Sequence, residues 1–253
     1  MPAADLRAPL QGVRNIIRFN WPFYAWSGAM LVFLTVVALS VSGFLGLSAF
    51  VFLIMGLVAT LTSLFVSIYV YDLSGFYQLD WLDSVTPKRI LTLNAGFDET
   101  SELLARRFPK TDLRVCDFYD PQRHTEPSIR RARNSYPPYP GTVSVRTANL
   151  PFESGSCDVV LAIMSAHEVR DDDERAELFG ELRRCIKIDG HVIVVEHVRD
   201  AANLFAYNIG AFHFFSRAVW LRTFDDARLA IIEERKINPW ITAFFLTSYA
   251  TTD

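Results

Sequence analysis

Arg89-Ile-Leu-Thr-Leu-Asn-Ala-Gly-Phe-Asp98 decides the fold: a short apolar run closes on a glycine-containing turn, and Thr100–Arg107 follows with helical spacing. The alternation continues downstream. Leu113–Asp117 reads as a second strand and Thr125–Asn134 as a second helix. Val143–Arg146, Cys157–Met164 and His191–Glu196 read as further strands, with Asp172–Ile186 as a charged-face helix before the last of them. Strands alternating with helices predict a parallel α/β sheet covered on both faces. Ligands of such sheets bind beyond the carboxyl ends of the strands, so functional residues are expected just after each one. Near the C-terminus, Ser216–Asp226 reads as a helix, and Leu229–Glu234 and Ala243–Thr247 as a hairpin closed by an Asn-Pro turn, which makes one strand antiparallel. No internal repeat or low-complexity segment interrupts this order.

Upstream of the α/β pattern the composition changes. From Phe19 to Tyr71 there is no Asp, Glu, Lys or Arg, whereas charges recur every few residues from Asp72 onward. A span needs about 20 apolar residues, and this stretch holds two, at Phe23–Ser42 and Leu45–Tyr71, with Ser42, Gly43 and Gly46 supplying the turn. Trp21, Tyr24 and Trp26 at one end and Tyr69 and Tyr71 at the other suit the headgroup level. Arg7, Arg14 and Arg18 precede the first span while the turn is uncharged, so the α/β domain and both termini are expected in the cytosol, with the protein integral to the membrane (the inner membrane in a bacterium). A cleaved signal peptide and a buried helical pair of a soluble protein are the alternatives for this region; the length of the apolar run argues against both. Leu10, Val13, Ile16 and Ile17, with Arg14 and Arg18 between them, predict a helix on an anionic membrane surface. The expected organisation is an interfacial segment (1–20), a transmembrane hairpin (21–71), a juxtamembrane linker (72–88) and the α/β domain (89–253).

Among 253 residues the net charge is −3 and no basic run occurs, which excludes the electrostatic footprint of a nucleic-acid binder. Cys116, Cys157 and Cys185 lack paired spacing and fall in core-facing stretches, which predicts reduced, buried thiols. The five histidines show no i, i+4 pair, and adjacent His-Glu pairs are expected to diverge, so no metal site is expected.

Three segments, taken together, resemble the class I S-adenosylmethionine-dependent methyltransferases, especially those acting on quinones, lipids and other small acceptors. They are Ile90–Asp98, the segment Asn149-Leu-Pro-Phe-Glu-Ser-Gly-Ser-Cys-Asp-Val-Val160, and Leu182-Arg-Arg-Cys-Ile-Lys-Ile-Asp-Gly-His191 running into Val192–Glu196. The resemblance covers about residues 89–248 and implies a Rossmann-like, mostly parallel seven-stranded sheet with an antiparallel terminal strand. It further implies that S-adenosyl-L-methionine sits on the turn Asn94, Ala95, Gly96, Phe97 and Asp98, with Asp117 on the ribose hydroxyls, Phe118 or Tyr119 against adenine, and Ala148, Asn149 and Met164 completing the site. The chain departs from the pattern where Thr92, Asn94 and Asp98 stand in place of an acid and two glycines. Asn94 tolerates a left-handed turn, and Asp98 either caps the next helix or meets the donor's ammonium.

Methyl transfer requires alignment and exclusion of water more than acid–base chemistry. Ser165–Arg170 and Glu196–Asp200 both follow strands, and His167 is the first candidate for a base or orienting group, with Glu196 and His197 next. The apolar stretch Ala201–Phe215 is either a core helix or the lining of an acceptor site, in which Tyr207 and His213 are the polar groups. The expected activity is methylation of a lipophilic small molecule, a lipid, quinone or similar acceptor, with membrane lipids as the further partner. The rival expectation is a non-catalytic membrane scaffold of the same fold; a nicotinamide-dependent oxidoreductase lacks the GxGxxG fingerprint.

Overall fold

Ile90 to Asn94 are all buried in the first strand, β1 (Arg89–Asn94), as a strand with helices on both faces requires. The computed structural model describes residues 7–249; the outermost parts of the expected N-terminal segment and C-terminal domain lie outside the described residues. β1 pairs in parallel with β2 (Asp112–Asp117) on one side and with β4 (Cys157–Ile163) on the other. With β3 (Val143–Ser144), β5 (Ile186–His197), β6 (Leu229–Asn238) and β7 (Ile241–Ser248) they form a seven-stranded sheet of order β3-β2-β1-β4-β5-β7-β6. β7 runs antiparallel to both β5 and β6. The turn between β6 and β7 is closed by Asn238, whose Oδ1 accepts from the amides of Trp240 and Ile241. The Rossmann-like sheet expected from the sequence is therefore present, with its antiparallel terminal strand.

Around the sheet lie α4 (Ser101–Arg107), α5 (Pro127–Arg133), α6 (Asp172–Cys185), α7 (Ala201–Tyr207) and α8 (Arg217–Asp226). Strand side chains alternate, so β5 contributes Val192 and Val194 to one core and Ile193 and Val195 to the other. Cys116, Cys157 and Cys185 are free and buried in the first of these.

The apolar N-terminal region folds as two helices, α2 (Trp21–Ser40) and α3 (Phe44–Ile68), joined at Gly43, which adopts φ 77°. Both are long and apolar enough to cross a membrane. No residue of α2 is buried, and Leu39 and Phe44 are 84% and 82% exposed. α3 then passes directly into the sheet domain. Val66, Ser67 and Val70 are buried, a π-helical turn spans Tyr69–Leu73, and Phe76, Leu79, Trp81 and Leu82 join the core against Ile90, Leu103 and Leu104. Residues 72–88, expected as a linker, thus include a wedge of the domain's own core.

The helix α1 (Gln11–Phe19) also turns towards the domain: Gly12, Val13, Asn15 and Phe19 are buried, while Arg14, Ile17 and Arg18 face outward. Asp72 accepts from the amides of Gly12 and Val13 at 2.8 and 3.0 Å, satisfying two orphan donors of the first turn. Glu99 accepts from Asn15 Nδ2 and from Tyr77 Oη. A side chain at position 12 would collide with Tyr71 and Asp72, so the close approach requires glycine. Of the apolar stripe expected on a membrane surface, Val13 turns into the domain while Leu10 and Ile17 stay exposed.

Candidate functional site

The carboxyl ends of β1, β2, β4 and β5 lie on one edge of the sheet, and the candidate residues gather there in two groups. The first surrounds the turn after β1. Asn94 Oδ1 accepts from the Gly96 amide at 2.8 Å, and Gly96 adopts φ 86°, the left-handed geometry this turn demands. Asp98 Oδ1 accepts from the amides of Thr100 and Ser101 at the start of α4, while its Oδ2 is buried without a partner. Asp117, at the tip of β2, accepts from the Tyr119 amide through Oδ1. Ala95 is buried in the core behind the turn, with Phe97 packed against it.

Arg133, at the end of α5, occupies the space between these groups. Its Nη1 donates to Asp117 Oδ2 at 2.5 Å, its guanidinium lies 4.4 Å from the Tyr119 ring centre, and a Cβ on Gly96 would collide with it. Phe19 of α1 closes the same region by edge contacts with Phe97 and Tyr136, and Arg131 donates to its carbonyl. The chemistry left here still fits a nucleoside. Gly96 lets backbone approach, Asp117 offers a carboxylate to paired hydroxyls, and Asn94 Nδ2 and Tyr119 Oη are buried without partners. Arg133 fills the space in front of Gly96 and Asp117 that a nucleoside would need.

Phe118, Ala148, Asn149 and Met164 take different environments. Phe118 is buried in the core with its edge on His124, because it lies two residues beyond Cys116 and keeps that residue's face. Ala148 and Asn149 sit on an exposed turn bridged to Arg146. Met164 takes φ 50° immediately after β4, and its amide donates to Val195 O.

The second group forms where β4 and β5 end. Ser165 Oγ donates to Leu93 O, and Ala166–Glu168 makes a 3-10 turn that carries His167 over β5. There Glu196, 1% exposed, accepts from the His167 amide at 3.2 Å and holds His167 Nδ1 at 2.7 Å from its Oε2. On the other side of the ring, His167 Nε2 lies 3.4 Å from Glu168 Oε1. Burial works against a charged ring, but Glu196 and Glu168 overcome it and push the His167 pKa up to about 10. At neutral pH this imidazole is a cationic donor; the role of general base expected from its ordinary pKa does not suit it.

His213 completes the group. Its ring centre is 5.1 Å from that of His167, and Arg170 donates to its Nδ1 at 2.6 Å and to its carbonyl at 2.7 Å. Burial lowers the His213 pKa although Glu126, 3.7 Å from its Nδ1, opposes this. Glu168, Glu126 and Arg170 were not singled out from sequence. A contact between residues 126 and 213 leaves no spacing signal.

His197 and Tyr207 lie elsewhere. Because side chains alternate along β5, His197 faces the opposite core from Glu196. There its Nε2 accepts from Tyr71 Oη at 2.8 Å, its Nδ1 meets Asn203 Oδ1 and Trp240 O, and its ring stacks on Phe214. Burial, opposed by Asn203 and Trp240, pulls its pKa down to about 4. A neutral, fully bonded imidazole of this kind joins α3 to the domain and is not placed for catalysis. Tyr207 packs edge-on to His197 and Phe214 on the same side.

Residues 92–194 match the profile of the family described as a methyltransferase domain. Among curated proteins, no sequence matches the chain significantly. The PH0226 protein from Pyrococcus horikoshii shares 15% identity over 69% of this chain and 88% of that one, with a TM-score of 0.51, a likeness of fold. An S-adenosylmethionine-dependent methyltransferase from Aquifex aeolicus covers 63% of this chain and 81% of its own at 11% identity and a TM-score of 0.48. The geranyl diphosphate C-methyltransferase from Streptomyces coelicolor covers 69% and 77% at 15% identity and a TM-score of 0.46.

Proposed function

We propose that this methyltransferase domain, with S-adenosyl-L-methionine as its donor, methylates a lipophilic small molecule that reaches it from a membrane in which α2 and α3 are anchored. The donor supplies an electrophilic methyl group on a sulfonium, and the protein's part is to align the acceptor and exclude water. Asp117 receives the ribose hydroxyls once Arg133 has left, and Asn94 Nδ2 offers a further donor. His167, clamped through its amide and its ring by Glu196, orients the acceptor as a charged hydrogen-bond donor.

The observation that carries the acceptor class is the segment between β5 and α8. α7 packs against α3, and the segment exposes Phe205, Ile209 and Phe212 at 74%, 71% and 66% before reaching His213 beside His167. An apolar ramp thus adjoins both the apolar hairpin and the polar pair. The test supplies methyl-labelled donor to the detergent-solubilised protein with total membrane extract. Label should enter the organic-soluble fraction and be lost in H167A; label confined to water-soluble products would overturn the acceptor class. The second reading, a non-catalytic module, draws on Arg133 in the donor's space. Calorimetry with S-adenosyl-L-methionine separates the two: absence of binding even in R133A would favour the module.

A further inference from the structure

We infer that His167, Glu168 and His213 form a site for a divalent first-row transition ion at the carboxyl ends of β4 and β5. One ligand atom from each lies within 4.8 Å of the others. The set is two imidazoles and a carboxylate, a donor combination suited to Zn2+ and its neighbours that leaves coordination positions open. Adjacent residues in a strand would point apart. His167 and Glu168 converge because they lie in a 3-10 turn.

Three further observations point to an ion. Glu196 Oε2 grips His167 Nδ1 at 2.7 Å, which aims Nε2 at the cluster; a carboxylate behind a ligating histidine is the usual support of such sites. Glu168, 5% exposed, has an oxygen, Oε2, buried without any partner. The charges are also incomplete. Glu126, Glu168 and Glu196 face the Arg170 guanidinium and the His167 imidazolium, an excess of one negative charge that a divalent cation balances when it replaces the His167 proton. The ion takes the place of the proton on His167 Nε2 and of the Arg170 Nη2 contact at the His213 ring, while Arg170 Nη1 keeps its bond to the His213 carbonyl.

Resting on the methyl-transfer reading, the ion would take over the acceptor-orienting part of the His167 proton that it displaces, binding an acceptor oxygen at an open position and favouring its deprotonated form. The site itself does not depend on that reading.

The test uses the full-length, tag-free protein in detergent, stripped with chelator and titrated with Co2+ alone, followed by its visible absorption and by calorimetry. One Co2+ per chain is expected, displaced by Zn2+. E168Q and H213A should each weaken binding by at least about 10-fold, and E196Q, which touches no ion, by about 10- to 100-fold. His213 is only partly buried, so H213A tests the site even if E168Q fails to fold. No Co2+ uptake by the wild-type protein, or equal uptake in E168Q and H213A, overturns the assignment. Neither donor nor acceptor is present in the titration, so its failure is distinct from failure of the methyl-transfer assay.

Discussion

Replacing Arg133 with alanine should tighten binding of S-adenosyl-L-methionine, because this side chain fills the space between Gly96 and Asp117. The donor must break the Arg133–Asp117 pair, whose side chains are 33% and 12% exposed, and lift the guanidinium from Tyr119. A pair that remains partly in water is worth at most about 1 kcal/mol, and the cation–π contact adds roughly 0.5–1 kcal/mol. Relieving a penalty of about 1–2 kcal/mol raises affinity by about 5- to 30-fold. Titration calorimetry on wild type, R133A and D117N reads this directly. The two halves of one ion pair should move in opposite directions: R133A binds more tightly, whereas D117N, which also frees Arg133, binds more weakly because the carboxylate for the ribose is gone. Unchanged or weakened binding in R133A would refute the argument and make Arg133 part of the binding surface.

The same structure makes other outcomes measurable. His197 has a folded pKa depressed to about 4 from 6.5, so the unfolded chain binds the extra proton as pH falls between those values. Stability present above pH 6.5 should decline by about 3 kcal/mol down to pH 4 on this account, and thermal melts of H197Q should show a pH slope shallower by one proton. D72A removes the acceptor for two first-turn amides of α1 and should cost about 1 kcal/mol, with faster hydrogen exchange at Gly12 and Val13 as its signature. G12V should lift α1 from the domain, exposing Phe19 and increasing protease cleavage near Asn20, while leaving the fold of 89–248 intact by circular dichroism.

How much of this could be seen in the residues depended on whether the signal was local. Strand and helix limits were legible because apolar runs and their breakers are adjacent in sequence: α8 was expected at Ser216–Asp226 and is found at Arg217–Asp226. β3 shrank to Val143–Ser144, both exposed, since an edge strand has little burial to hold it. The His167–Glu196 pair was accessible from the rule that strand ends build the site. Its protonation was not, because that depends on Glu168 turning back onto the same ring. Arg133 was invisible for a similar reason: nothing in a helix ending Arg130-Arg131-Ala-Arg133 says which guanidinium reaches a carboxylate 16 residues earlier. His197 and Phe118 were misplaced where alternation along a strand should have been applied, Glu196 and His197 being neighbours that cannot share a face. The segment 72–88 looked like a spacer because its aromatic residues carry no regular period, although Phe76 and Leu82 are each only 1% exposed.

That wedge changes the mechanics of the molecule. A domain hung on a pliable spacer swings like a balloon on a string, sampling many heights and tilts. Here the last turns of α3 are seated in the interior, and His197 bolts onto Tyr71 beside them, so the domain is mounted like a turret on its shaft. Whatever plane the apolar helices adopt, the strand tips keep a fixed elevation and heading above it, and lengthening α3 by a full turn would raise the whole platform by about 5.4 Å while bringing its mouth back to the same heading.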